Sequence, residues 1–116
     1  MTQRIAFQGE PGAYGHQACK EARPQHDPLP CATFDAAIEA VRKGEAELGM
    51  IAVENSIYGR VGDVHHLLPG SGLHIVDECF IRVHINLLGV PGARLPDIRT
   101  ALGHVVILPQ CSAFLR

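Results

Sequence analysis

Three polar side chains in a row follow an apolar run: Gly49 to Val53 reads "GMIAV", and Glu54, Asn55 and Ser56 come next, with Gly59 and Gly62 just behind. An amide, a hydroxyl and exposed backbone N–H groups suit an anionic small molecule. A carboxylate such as Glu54 becomes a proton donor if burial raises its pKa. A local reading competes: Asn55 or Ser56 caps the next turn and Gly59 supplies a positive φ. A second glycine loop, Gly9-x-x-Gly12-x-x-Gly15, separates "RIAFQ" from a helical pattern. Backbone N–H groups there, with a helix N-terminus behind them, favour an anion. A dinucleotide loop needs G-x-G-x-x-G; this spacing differs, and Pro11 removes one donor. A carboxylate-binding loop and a plain β-α turn remain.

Other chemistries are poorly supplied. Cys19, Cys31, Cys79 and Cys111 lie far apart with no C-x-x-C pair, which suits free thiols in a reducing compartment. Among seven histidines only His65 and His66 are close, and no H-x-x-x-H spacing occurs, so no metal site is expected. The 116 residues are 47% hydrophobic and 19% charged, with a formal net charge of -2. One globular domain fits that length. No Lys/Arg run offers a nucleic-acid footprint. No basic leader precedes an apolar core, and no apolar run nears the roughly 20 residues of a membrane helix. A cytoplasmic protein with no membrane partner is therefore expected.

The elements that must position these residues follow from periodicity. Arg4 to Gln8 reads as a short strand, Gly9 to Gly15 as a tight turn, and Ala13 to Ala22 as a helix with Tyr14, Ala18 and Ala22 on one face. Arg23 to Pro30 reads as a Pro-rich loop, and "CATF" as a short strand. "FDAAIEAVRKG" is an amphipathic helix with Phe34, Ala37, Ile38 and Val41 inward, Asp35 in its first turn and Gly44 at its end. "AELGMIAV" returns as a strand. β-α-β-α-β implies a mainly parallel sheet with helices on its faces. Both glycine-bearing junctions then share the carboxyl edge of one sheet, where open α/β sheets bind ligands.

Gly62 to Leu68 reads as a short helix with Val64, Leu67 and Leu68 inward, stopped by "PGSG". Leu73 to Val90 alternates with period two, far beyond the common strand length of about 5–6 residues. Two strands meeting at Asp77-Glu78, or one strand passing from one lobe to another, is the economical reading. Beyond it come a loop, a turn of helix and a strand near Arg99 to Leu102. In "VVILPQCSAFLR" the β-branching of "VVIL" favours strand, whereas Pro109 suits a helix that starts there.

Four stretches, "IAFQGEPGAYGHQA", "GEAELGMIAVENSIYGRVGDVHHLL", "IVDECFIRVHINLLG" and "GHVVILPQCSAFL", resemble in order and spacing the catalytic region of prephenate dehydratases, over essentially the whole chain. The resemblance implies conversion of prephenate to phenylpyruvate, water and carbon dioxide in phenylalanine biosynthesis, with no metal or organic cofactor. It implies an α/β fold like type 2 periplasmic binding proteins, with two lobes: about 1–76 the first, about 77–116 the start of a truncated second. The substrate is a small dicarboxylate.

Carried over by position, Glu54, Asn55 and Ser56 match the family's Glu-Asn-Ser at the cleft, Gly59 its glycine, Gln110 a site-lining glutamine and His104 a histidine. Gly9, Pro11 and Gly12 lie on the first loop, where family members often read Gly-Pro and this chain reads Gly9-Glu10-Pro11. Gly103 stands where the family pairs a serine with the histidine, and glycine stands where a serine or threonine is common near Gly15. Losing carbon dioxide and hydroxide needs the dianion oriented and one acid placed at the leaving hydroxyl. Glu54 and His104 are the acids within the chain. The resemblance puts the principal one, a threonine, beyond Arg116, so the 116 residues are expected to be inactive by themselves. Exposed Phe114 and Leu115 would favour a homo-oligomer. Two alternatives stay open: a non-catalytic cytosolic module binding a small carboxylate or amino acid, and arogenate dehydratase.

Overall fold

The computed structural model describes residues 3–56, 59–103 and 107–116. β1 (Arg4–Gln8) is followed by α1 (Tyr14–Ala22), β2 (Asp27–Cys31), α2 (Phe34–Arg42) and β3 (Leu48–Met50). The three strands form a parallel sheet in the order β2-β1-β3. β1 is central, and its alternation serves both faces. Ile5 and Phe7 point to α1, forming a cluster with Cys19 flanked by Leu48 and Met50. Ala6 points the other way, to Ala37 and Ala40 of α2 and to Ala46. The α/β class expected from the sequence is what forms, as a small parallel sheet with a helix on each face.

α2 starts where a hydroxyl satisfies an orphan donor: the Thr33 side chain accepts from the Ala36 N–H at 3.0 Å. Gly44, at φ +78°, lets the chain leave. Thr33→Ala should lower the unfolding free energy by about 1 kcal/mol. Urea titration would show an earlier midpoint at unchanged slope.

β2 overturns one expectation. Residues 23–30 read as a Pro-rich loop, yet Asp27–Cys31 is a strand carrying Pro28 and Pro30. It is an edge strand, and the residues that bond to β1 alternate with the prolines. The Asp27 N–H donates to the Gln3 carbonyl, and the Gly9 N–H donates to the Cys31 carbonyl. The missing proline donors therefore fall on the unpaired side, where they cost nothing to the ladder.

Past β3 come the two-residue strands β4 (Glu54–Asn55) and β5 (Gly59–Arg60), paired antiparallel, then α3 (Gly62–Leu67). Val64 is fully buried, and Leu67 and Leu68 are half-buried, as their spacing predicts.

From Leu73 to Gly103 the described chain forms no strand, only a 3-10 turn at Leu95–Asp97. The strands expected within Leu73 to Val90 and near Arg99 are absent. Alternation makes a strand only when a ladder partner and a buried face exist. Here Phe80 is 87% exposed and Leu88 88%. Two tethers hold this segment: Tyr14 to His84, and the Arg23 guanidinium to Asp77 at 3.0 Å. The Glu78 N–H and then Arg23 hold the Asp77 carboxyl below its usual value. A carboxyl lowered in the folded state stabilises above its unfolded value of about 4, and that contribution is lost as pH falls through the lowered value. The tether should thus release below about pH 4, which Arg23 side-chain NMR shifts would follow; an Asp77→Asn chain should lack that acid transition.

The C-terminal stretch is helical, α4 (Ile107–Gln110) and α5 (Ser112–Leu115). Ile107 and Leu108 are helix rather than strand. Pro109 sits in the first turn of α4, where its missing N–H would have no partner anyway.

Candidate functional site

The connection from β1 leads through α1 to β2 on one side, whereas β3 lies on the other. Neighbouring strands whose connections diverge leave a crevice beyond their carboxyl ends. For this strand order the rule points to the space between the loop after β1 and the hairpin after β3, the two junctions the sequence singled out.

The first loop is built on Gly9 (φ +132°) and Gly12 (φ +93°), conformations that favour glycine. Its amides are largely used internally. Gly9 N–H donates to the Cys31 carbonyl at 3.0 Å, Ala13 N–H to the Glu10 carbonyl at 3.1 Å, and Gly12 N–H to His16 Nδ1 at 2.8 Å. The His16 ring is stacked on Phe7, centroids 5.6 Å apart. The loop is a held turn, with fewer amides turned outward than an anion cradle would offer. His16 had a local signal that passed unread, a ring nitrogen one helical turn after the loop glycine. Gly15 meets the strand closely: a Cβ there would lie 3.0 Å from Phe7 Cδ2 and 3.3 Å from the Gln8 carbonyl oxygen.

In the second junction Gly59, at φ +99°, closes the hairpin, and the Val61 N–H bonds the Val53 carbonyl at 3.0 Å. His65 on α3 braces it, Nε2 lying 3.1 Å from the same Val53 oxygen. α3 begins at the cap position Val61 with no side-chain cap. Asn55 is half-buried and donates from Nδ2 to Gln110 Oε1 at 3.2 Å. Two expected site residues far apart in sequence therefore meet across the β4-β5 hairpin and α4. Ser56 and Glu54 are exposed; the burial that would fit Glu54 to donate a proton is absent. His104 lies outside the described residues.

A cavity of about 410 Å³ opens nearby, lined by Gln8, Thr33, Phe34, Asp35, Asp63 and His66 among others. Among the described residues, none of those expected to bind lines it, and two aspartates make it a poor seat for a dianion. Among the described residues no group of three or more His, Cys, Asp or Glu side chains gathers to hold a metal. No helix of the described residues is long and apolar enough to cross a membrane. The four cysteines are free thiols. Burial first, then the nearby Cys79, pushes the Cys19 thiol up to about 11, which removes it as a nucleophile at neutral pH.

Known proteins bear on this arrangement. A bifunctional N-acyl-homoserine lactone acylase/prephenate dehydratase from Komagataeibacter europaeus is 55% identical over 106 residues, 91% of this chain and 38% of that protein. Arogenate dehydratase/prephenate dehydratase 1, chloroplastic, from Arabidopsis thaliana is 41% identical over 108 residues, 93% of this chain and 28% of that protein. A solved structure described as GqqA, a novel type of quorum quenching acylases, matches with a TM-score of 0.63 and 60% identity, over 69% of this chain and 41% of that one. The matched stretches thus span 38% and 28% of the two curated relatives and 41% of the solved chain. The family model for prephenate dehydratase matches residues 5–116, which takes in both glycine junctions, the Asn55–Gln110 pair and the segment tethered to α1. The chain belongs to the prephenate dehydratase family.

Proposed function

We propose that this chain contributes the dianion-orienting part of a prephenate dehydratase site. One observation carries the reading: Asn55, in the "ENSIYG" hairpin, is hydrogen-bonded to Gln110 of "LPQC", so the two motifs that match the family share one place in the fold. Prephenate dianion takes up one proton and becomes phenylpyruvate anion, carbon dioxide and water. Breaking two bonds to the ring restores aromaticity, which drives the step. The protein must hold both carboxylates in line and deliver the proton to the leaving hydroxyl. Neutral donors such as the Asn55 amide and the Ser56 hydroxyl orient an anion without trapping the departing carboxylate. Gly59 shapes the hairpin that presents them, and Gly9 and Gly12 shape the facing loop. We place the principal proton donor outside these 116 residues, with His104 a lesser candidate and Glu54 the weakest.

In this reading residues 1–76 form the first lobe of a periplasmic-binding-like fold and 77–116 begin a second. A cytoplasmic site and a homo-oligomeric state belong to the same proposal, the latter supported by Phe114 at 65% exposed. Purified chain titrated calorimetrically with prephenate, arogenate and phenylalanine tests it. Saturable prephenate binding without phenylpyruvate formation is expected. Equal or tighter arogenate binding would move the assignment to arogenate dehydratase, and phenylalanine binding alone would make the chain a sensor module. Phenylpyruvate formation by the chain would overturn the placement of the donor.

A second reading has its own support in the 55% identity to a protein named for both activities and the 60% identity to GqqA. An N-acyl-homoserine lactone in the same titration separates it: binding of the acylated lactone and not of prephenate would favour acyl-amide chemistry.

A further inference from the structure

The segment from Asp77 to His84 has no strand partner among the described residues, yet it is fixed at both ends to α1. The two tethers run in reverse order along the helix. Arg23, just past its C-terminus, holds Asp77; Tyr14, its first residue, holds His84. The segment therefore runs back along α1 toward the glycine loop. The Tyr14 contact is the more specific of the two. One hydroxyl donates to the His84 carbonyl at 2.5 Å and accepts from the His84 N–H at 2.8 Å. A hydroxyl has one donor and two acceptor sites, so a single group satisfies both backbone groups of one residue. Those are the groups a neighbouring strand would otherwise pair.

We infer that Tyr14 is a positioning residue that couples the glycine loop to residues 77–84, its hydroxyl taking the place of a strand partner at His84. The coupling follows from what adjoins Tyr14. Ala13 closes onto Glu10 in the turn just before Tyr14, and Gly12 is bonded to His16 two residues past it. A shift of His84 is thus felt in the first turn of α1 and in the loop it carries. The contact reads backbone only, so it is indifferent to the side chain at position 84. The functional weight of the coupling rests on the proposed placement of Gly9 and Gly12 at the substrate crevice; the coupling itself does not.

Amide hydrogen exchange by NMR on the whole chain tests it. In the unsubstituted chain the His84 amide should exchange at least tenfold more slowly than those of Val83 and Ile85 beside it. Tyr14→Phe, which keeps the ring, should erase that difference and move the Gly12 amide resonance, while the Ala6 and Phe7 amides in β1 stay protected. His84 exchanging as fast as its neighbours in the unsubstituted chain overturns the inference, even if the variant does not fold. So does a folded Tyr14→Phe chain whose Gly12 resonance is unmoved. Neither readout depends on which substrate the chain binds, so failure of the dehydratase reading would show separately.

Discussion

Phe7→Ala should lower the unfolding free energy by about 3–5 kcal/mol and move the urea midpoint far down. Phe7 is 1% exposed on the central strand β1, and with Ile5, Val64 and Cys19 it is among the largest fully buried side chains. It fills the space between β1 and α1, lies under His16, and lies close to Gly15. Truncating a buried phenylalanine costs about 3–5 kcal/mol in transfer energy and residual cavity. A small domain has only about 5–15 kcal/mol in total. The loss reaches the site as well: His16 loses its stacking surface, and Gly12 N–H then loses a fixed acceptor. Urea unfolding followed by circular dichroism decides it. Leu102→Ala is the control, since Leu102 is 94% exposed and such surface changes stay within about 0.5 kcal/mol. If Phe7→Ala and Leu102→Ala unfold at the same midpoint, the β1–α1 interface is not the core that it is described to be.

Asn55→Ala should weaken prephenate binding by roughly ten- to a hundredfold, as removal of a hydrogen bond to a charged group costs about 1.5–3 kcal/mol. Gln110→Ala should act in the same direction, because the Asn55 amide would lose the partner that orients it. The two changes share one contact, so the double variant should fall short of the sum of the singles. Asn55→Asp discriminates further. It keeps the shape, loses the donor and sets a negative charge against a dianion, and should bind more weakly than Asn55→Ala. Ser56→Ala should cost less than either, as Ser56 is exposed. Calorimetry of the five variants at one ionic strength reads these differences directly. Binding by Asn55→Asp as tight as by the parent chain would remove Asn55 from any anion site.

Local pattern carried much of this architecture. The strand Arg4–Gln8 and the helices over residues 14–22, 34–42 and 62–67 form where periodicity places them, because each buries one face against β1 or its neighbours. The prolines of Asp27–Cys31 misled for a definable reason. Proline forbids a central strand but tolerates an edge whose donors alternate outward, and strand order is not a local property. Leu73 to Val90 misled in the opposite sense. Its alternation is clear, but no ladder partner is present among the described residues.

The motifs themselves were legible: apolar strand, Glu-Asn-Ser and glycine in one place, strand, glycine loop and helix in another. From β-α-β-α-β alone, both junctions had to share one edge of a parallel sheet. Contiguous residues and short periods determine that much, since backbone sterics and side-chain burial act within a few positions. Two contacts were decided only by tertiary structure: Asn55 to Gln110, and Tyr14 to His84. Each is a hydrogen bond whose worth depends on a partner within about 3 Å. Where such a partner lies is set by how the chain returns through space, which no run of neighbouring residues encodes.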